Sequence, residues 1–207
     1  MIPYIIKRYK ESEFIMYIYF TDGSCKGNPG SGGFGVVGIQ QPDDGFEIID
    51  ETIHILPFLL FQKKCENTTN NREELKAILY VLINMDIFPK KEKVIIYSDS
   101  AYCVNAINNW MFRWATNNWH NSRKKEIENK DLIQLIYYYF NKKNLKSQVR
   151  VKKVKGHNNI FGNELADALA SYQQNKINNF INQYSNYYEK LPSDDHSHIW
   201  LSYNYIL

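Results

Sequence analysis

The segment Lys93–Tyr97 (KVIIY) is a short, nearly continuous apolar run. Side chains of a strand alternate between faces, so a run of this kind has to be covered on both sides. A chain built around such an interior strand folds as a sheet with helices packed on each face. The flanking pattern agrees. From Asn71 the apolar residues Leu75, Ile78, Leu79, Leu82 and Ile83 recur at helical spacing, and Pro89 closes that stretch. Upstream, Phe14–Thr21 is aromatic and β-branched and reads as a strand ending at Asp22. A Gly/Pro-rich turn, GSCKGNPGSGG, follows, and Phe34–Gln40 and Phe46–Ile55 read as the next two strands around Pro42-Asp43-Asp44-Gly45. Helical pattern resumes after Ser100 and over Asp131–Asn141; Gln148–Val154 reads as the last strand and Asn163–Gln173 as a helix. Three meandering strands followed by alternating helices and strands predict an α/β fold, with a five-stranded mixed sheet flanked by helices. The final stretch, Asn175–Leu207, is rich in Asn, Tyr and Ile and takes no assignment.

The chain's 207 residues suit one domain with an appendage. Its net charge of +3 says little, but the distribution is uneven. Between Trp110 and Lys155 stand twelve Lys/Arg against three Asp/Glu, a local +9. That is the electrostatic footprint of a surface facing phosphates. Cys25, Cys65 and Cys103 are odd in number and lack metal-site spacing, which argues against disulfides and zinc and for a reducing compartment. The N-terminal MIPYIIKRYKESEF mixes charges into its apolar residues and has no signal-peptide core. No apolar run approaches the roughly 20 residues of a membrane span. A soluble, intracellular protein, cytoplasmic or nuclear, is expected.

Four carboxylates stand where carboxylates are costly. Asp22 shares strand parity with Met16, Ile18 and Phe20; Asp99 ends VIIYSD; Glu74 lies one turn before Ile78; Asp167 sits between Leu165 and Leu169. Acids are seldom set against a core unless they are paired or bind metal. An acid in a helix's first turn also answers the macrodipole, and an Asp after a strand can cap the next turn, so no single one decides the matter. Together, two at strand ends and two on helices can converge at one sheet edge. Hard oxygen ligands in a cluster select Mg²⁺ or Mn²⁺, and two such ions serve in-line phosphodiester displacement.

The segments YFTDGSCKGNPGSGGFG, TTNNREELKA, YSDSAYCVNAINNW and VKGHNNIFGNELADALA resemble, in order, the four signature blocks of the type 1 ribonuclease H family. The resemblance spans most of Ile18 to Ala170 and implies a ribonuclease H-like fold. It also implies an endonuclease that cuts the RNA strand of RNA–DNA hybrids with two Mg²⁺ ions, Mn²⁺ being an alternative, leaving 5′-phosphate and 3′-hydroxyl ends. The family's four metal-binding carboxylates match Asp22, Glu74, Asp99 and Asp167. Its loop histidine, which assists proton transfer or product release, matches His157. Glu73 falls beside the motif position and is expected to be a solvated helix residue. Cys25, Asn28, Asn70 and Asn71 match contacts to the minor groove and RNA 2′-hydroxyls, the group that separates RNA from DNA. Thr69 and Asn129 match members of a pocket for a DNA-strand phosphate, in which Asn67 stands where some members carry Arg. Trp110, Trp114 and Trp119, with Ser122-Arg123-Lys124-Lys125, resemble the basic protrusion of cellular members. Flat aromatic and cationic groups suit a channel around the DNA strand, so Trp110 and Trp114 are expected to bind substrate, though both also suit a core face.

The expected organisation is a lead-in over 1–13, a catalytic domain over 14–174 with its protrusion at about 110–130, and an extension of unknown role over 175–207. A monomer acting on an RNA–DNA hybrid is expected, with no membrane association and no obligate protein partner. Departures from the family pattern are Asn159, where a glycine follows the loop histidine, Ala115-Thr116-Asn117-Asn118 in place of lysines, and an unexplained LPFLLF after the third expected strand. The chain starts directly at the first strand, without the separate N-terminal hybrid-binding domain of some eukaryotic members. Two other readings of the fold are an integrase- or transposase-like DNA strand processor and a hybrid-binding module without chemistry. The first lacks the TNNR-x-E and KGH blocks as a rule, and the second has no use for four clustered acids.

Overall fold

A computed structural model of the chain describes residues 15–42, 57–84, 93–142 and 145–188. Its five strands form one sheet in the order β3-β2-β1-β4-β5. The central strand β1 (Ile15–Lys26) runs antiparallel to β2 (Gly30–Pro42) and parallel to β4 (Lys93–Ser98). At the edges, β3 (Pro57–Thr68) is antiparallel to β2, and β5 (Val149–Lys153) is parallel to β4. The helices are α1 (Asn70–Ile83), α2 (Ala101–Asn105), α3 (Met111–Thr116), α4 (Lys130–Lys142), α5 (Phe161–Ala170) and α6 (Gln174–Tyr188). A π-helical turn, Ala106–Trp110, joins α2 to α3.

Two apolar clusters, one on each face, hold these layers together. On one face Tyr19, Val36, Val94, Ile96 and Val151 pack with Leu75, Ile78 and Leu82 of α1 and Ile133 and Ile136 of α4. On the other, Ile18, Phe20, Val37, Ile95 and Tyr97 pack with Leu165, Ala166 and Leu169 of α5 and Ile177 of α6. Strand β4 feeds both clusters, as its apolar run required, and Val94 and Ile96 are fully buried. The edge strands carry exposed charge instead, Lys63 and Lys64 on β3 and Arg150 and Lys153 on β5, which discourages pairing with another sheet.

Three expectations need correction. The third strand among the described residues is Pro57–Thr68, so it opens on PFLLF; the expected strand Phe46–Ile55 falls outside the described residues. The stretch Leu59–Phe61 is apolar in both phases because it is covered from both sides: Leu59 and Phe61 pack toward the α1 cluster and Leu60 toward the α5 cluster. The Gly-rich stretch is mostly strand rather than turn. Lys26 pairs with Ser31, and only Gly27 to Pro29 reverse the chain, with Gly27 at φ +76°. Finally, α5 ends at Ala170, Tyr172 takes φ +54°, and the segment without an assignment contributes α6.

The seating of α5 depends on missing side chains. A Cβ on Gly35 would stand 2.3 Å from the Ala166 carbonyl oxygen and 2.6 Å from the Leu169 Cβ. Gly35 pairs with Asp22, so the contact that lets α5 down onto the sheet lies directly beside that carboxylate. Gly35→Ala is therefore expected to overpack this interface and cost about 1–3 kcal/mol, read as a lowered midpoint in urea unfolding.

Candidate active site

Four elements bring their acids to one end of the sheet. Asp22 lies on the α5-facing side of β1 and is 7% exposed. Its Oδ1 accepts the Gly23 backbone N–H at 2.8 Å. Glu74, 3% exposed, comes from the start of the second turn of α1. It comes close because Gly23 lacks a side chain: a Cβ there would be 2.2 Å from the Glu74 backbone nitrogen. Asp99 stands at the bend after β4, where Ser100 accepts the Cys103 N–H and starts α2. Carboxylate oxygens of Asp22, Glu74 and Asp99 lie within 4.8 Å of one another.

Burial, then the charges of Asp99 and Asp167, push the Asp22 carboxyl up to about 7. Glu74 is held well above the ordinary carboxylate range, first by burial and then by Asp22 and Asp99. The hydrogen-bond donors to these two, the Gly23 N–H and a long 3.4 Å bond from the Ser98 hydroxyl, are neutral. Oxygen donors of this density, short of positive charge, fit a hard divalent ion.

Asp167 reaches the group from α5 and acts on Asp22 electrostatically. Its own close neighbours are Glu164 and His157, whose ligand atoms and its own lie within 4.8 Å of one another. Glu164 escaped sequence reasoning although its spacing, three residues before Asp167 on one helix, places both on one face. The His157 loop is tied to the site from below. A Cβ on Gly156 would meet Asp99 Oδ2 at 2.5 Å, and Lys153 Nζ donates to the Asp99 carbonyl at 2.6 Å. His157 is exposed at φ +51°, and Asn159 adopts φ +57°. Asparagine tolerates that left-handed conformation, so the loop turns without the family's glycine.

The expected substrate contacts fall in two groups. Cys25 Sγ lies 3.2 Å from the Thr68 carbonyl, and Asn28 Oδ1 accepts the Asn70 N–H at 3.3 Å, so the β1–β2 turn and the start of α1, with Asn71, make one surface. Arg72 grips Asp131 with two bonds of 3.0 and 2.6 Å. That fork joins the N-terminal ends of α1 and α4, where Thr69 and Asn129 stand; Asn129 also donates to the Tyr102 hydroxyl at 3.2 Å. Trp110 and Trp114 are half-buried, pack against the large core cluster and touch each other at 5.6 Å between ring centroids. The exposed cations Arg123, Lys124 and Lys125 lie on the loop beyond them.

Glu73 is not solvated as expected. It is fully buried, accepting from Thr68 Oγ1 at 2.5 Å and Lys76 Nζ at 2.6 Å. The tight approach of α1 at Gly23 puts both acids of the Glu73-Glu74 pair under cover, and Lys76 supplies the charge that Glu73 needs.

Protons and stability are linked at this cluster. An acid whose pKa is raised on folding binds more protons folded than unfolded, so stability falls as pH climbs between the two values. In chelator, this contribution is expected to be lost from pH near 4, the ordinary aspartate value, to about 7. Asp22→Asn should reduce that slope, leaving the part due to buried Glu74, and raise stability at pH 8 by on the order of 2 kcal/mol, measured by urea unfolding.

The comparisons with known proteins agree with this geometry. The family model for RNase H matches residues 15–175. A curated Ribonuclease H from Caldicellulosiruptor saccharolyticus is 39% identical over 158 residues, covering 74% of this chain and 92% of that one. Among solved structures, LC9-RNase H1, a type 1 RNase H with the type 2 active-site motif, superimposes with a TM-score of 0.60 at 25% identity, covering 78% and 72% of the two chains. LC11-RNase H1 in complex with an RNA/DNA hybrid shares the fold at a TM-score of 0.52 and 22% identity, covering 74% and 93%. No helix among the described residues is long and apolar enough to cross a membrane. The chain is an enzyme of the ribonuclease H family.

Proposed function

We propose that this chain hydrolyses the RNA strand of RNA–DNA hybrids as a monomer, with two Mg²⁺ ions held by Asp22, Glu74, Asp99 and Asp167. The observation that carries this reading is the convergence of Asp22, Glu74 and Asp99 within 4.8 Å, with Asp167 close enough to raise Asp22. Ions bound there would supply an activated water and neutralise charge at the leaving oxygen. Asp22, central in the electrostatics, faces both Asp99 and Asp167 and is the residue placed to serve both ions. Exposed His157, on a loop locked to Asp99 through Gly156, is placed to exchange protons with solvent or escort the product. Cys25, Asn28, Asn70 and Asn71 present the edge that reads 2′-hydroxyls, and Thr69 and Asn129 hold a DNA-strand phosphate at two joined helix starts. Trp110 and Trp114 set the position of the basic loop from its half-buried base.

On this reading, cleavage of a labelled hybrid requires a divalent cation. Asp22→Asn or Asp99→Asn should lower turnover by at least about a thousandfold while leaving the circular dichroism spectrum unchanged. Products should end in 5′-phosphate and 3′-hydroxyl; 2′,3′-cyclic phosphate ends, seen by mass spectrometry, would exclude a water nucleophile.

Affinity should separate from chemistry. Arg123, Lys124 and Lys125 are exposed and lie on the loop between α3 and α4, far in sequence from the four acids. Replacing all three by Ala should weaken hybrid binding and reduce the slope of log K against log salt. Each lost phosphate contact accounts for somewhat less than one unit of slope. Turnover at saturating substrate should change less than about twofold, because such contacts act on ground and transition states alike. A wild-type salt slope in fluorescence-anisotropy titrations would remove the loop from the binding surface.

A further inference from the structure

The Asp167 side of the site holds a cation that the chain supplies itself. Lys176 is the first residue past the stretch that matches the family model, and it lies in the opening turn of α6. Its Nζ stands 3.2 Å from Glu164 Oε2 and 3.3 Å from Asp167 Oδ2. Packing brings it there. Tyr172, at φ +54°, turns the chain so that α6 folds back on α5. Ile177, the next residue, is 4% exposed within the α5 cluster, and Phe180 meets Phe161 edge-on at 5.2 Å between ring centroids. The amine is therefore anchored by a buried neighbour and an aromatic contact, and does not depend on its charges alone for its place.

We propose that Lys176 is an internal counter-ion of the Asp167 side, competing with the divalent ion there and setting the concentration at which that side fills. The inference rests on the metal-binding reading above. Oδ2 of Asp167 is engaged by the ammonium at 3.3 Å, while Oδ1, among the described residues, has only the Ser171 hydroxyl at 3.5 Å. A divalent ion that takes Oδ2 must displace the ammonium or accept it as a like-charged neighbour, and both weaken binding. Glu164 has lone pairs to spare, since its buried Oε1 has no hydrogen-bond partner among the described residues, so it can keep the amine when Asp167 releases it. Among the described residues no ammonium or guanidinium bonds to the side chains of Asp22, Glu74 or Asp99. The two sides are thereby unequal: the buried trio fills first, and the Asp167 side fills later and in competition with Lys176. The lysine is one-third exposed, so solvent screens it and the effect is modest, about two- to fivefold in the dissociation constant.

The test is a Mn²⁺ titration of the full chain without nucleic acid, with free Mn²⁺ counted by electron paramagnetic resonance. Wild type should bind two ions, the weaker one absent in Asp167→Asn. Lys176→Met, which keeps the stem and loses the charge, should tighten the weaker step two- to fivefold and leave the tighter step in place. Lys176→Arg should retain the wild-type constants. A merely structural ion pair would lower the melting temperature in Lys176→Met without changing the ratio of the two constants, and that result overturns the proposal. A weaker step that loosens in Lys176→Met also overturns it, because the lysine would then be organising the ligand. If Asp167→Asn leaves the Mn²⁺ stoichiometry unchanged, Asp167 is not a ligand. The metal reading then fails at that residue and takes this inference with it, a result distinct from an unaltered Lys176→Met.

Discussion

Three carboxylates crowded within 4.8 Å, two of them almost fully buried, repel one another, and the rest of the structure is arranged to hold them together regardless. A hydrogen bond between the Glu74 and Asp22 carboxyl groups relieves only part of that repulsion. Each arrives on its own element: β1 carries Asp22, α1 carries Glu74, and the bend after β4 carries Asp99. The force that sets these elements in place is burial of apolar surface on both faces of β1 and β4, which is large and indifferent to charge. Glycines set the final distance. At Gly23, Gly35 and Gly156 the backbone or an acid comes closer than any Cβ would permit, and each of these contacts borders one of the acids. Core packing therefore offsets a local cost that bound protons or metal cations relieve, a pattern expected where stability is given up for function.

The site is also uneven. The trio of Asp22, Glu74 and Asp99 faces neutral donors, whereas Asp167 sits with Glu164, His157 and Lys176 on a more open side. Protons and cations meet least resistance there: His157 is exposed, and the ammonium of Lys176 is a third exposed. Helix α6, lying mostly beyond the family match, thus bears on a residue at the centre of the site.

The exposed cations Arg123, Lys124 and Lys125 stand on the loop between α3 and α4, on other elements than the four acids. The cationic loop runs between α3 and α4, and half-buried Trp110, Trp114 and Trp119 root it in the α1-side core, while α5 and α6 close the other face. Trp119, at φ +61°, packs edge-on against Tyr137 of α4 at 5.3 Å, so the loop's base is as firmly tied as a core residue.

Much of this was legible from residue order alone. Continuous apolar character required β4 to be interior, helical spacing required α1 to present Leu75, Ile78 and Leu82 inward, and strand parity put Asp22 on a buried face, all of which follow from local periodicity. The four acids were picked out together, as costly charges beside core residues that also fall within the four family-like blocks, although none was decisive alone. What local pattern could not decide was which of two neighbouring apolar stretches paired with β2, whether Glu73 met water or Thr68 and Lys76, and where α6 would fold. Each depends on a contact distant in sequence: pairing register, the close approach at Gly23, and the reversal at Tyr172. The sequence by itself determined the layers and the acids, because periodicity and burial are local properties. Only the tertiary structure decided how near the acids stand and which cation meets Asp167, because distances across a sheet are set by packing between elements that the chain order does not place side by side.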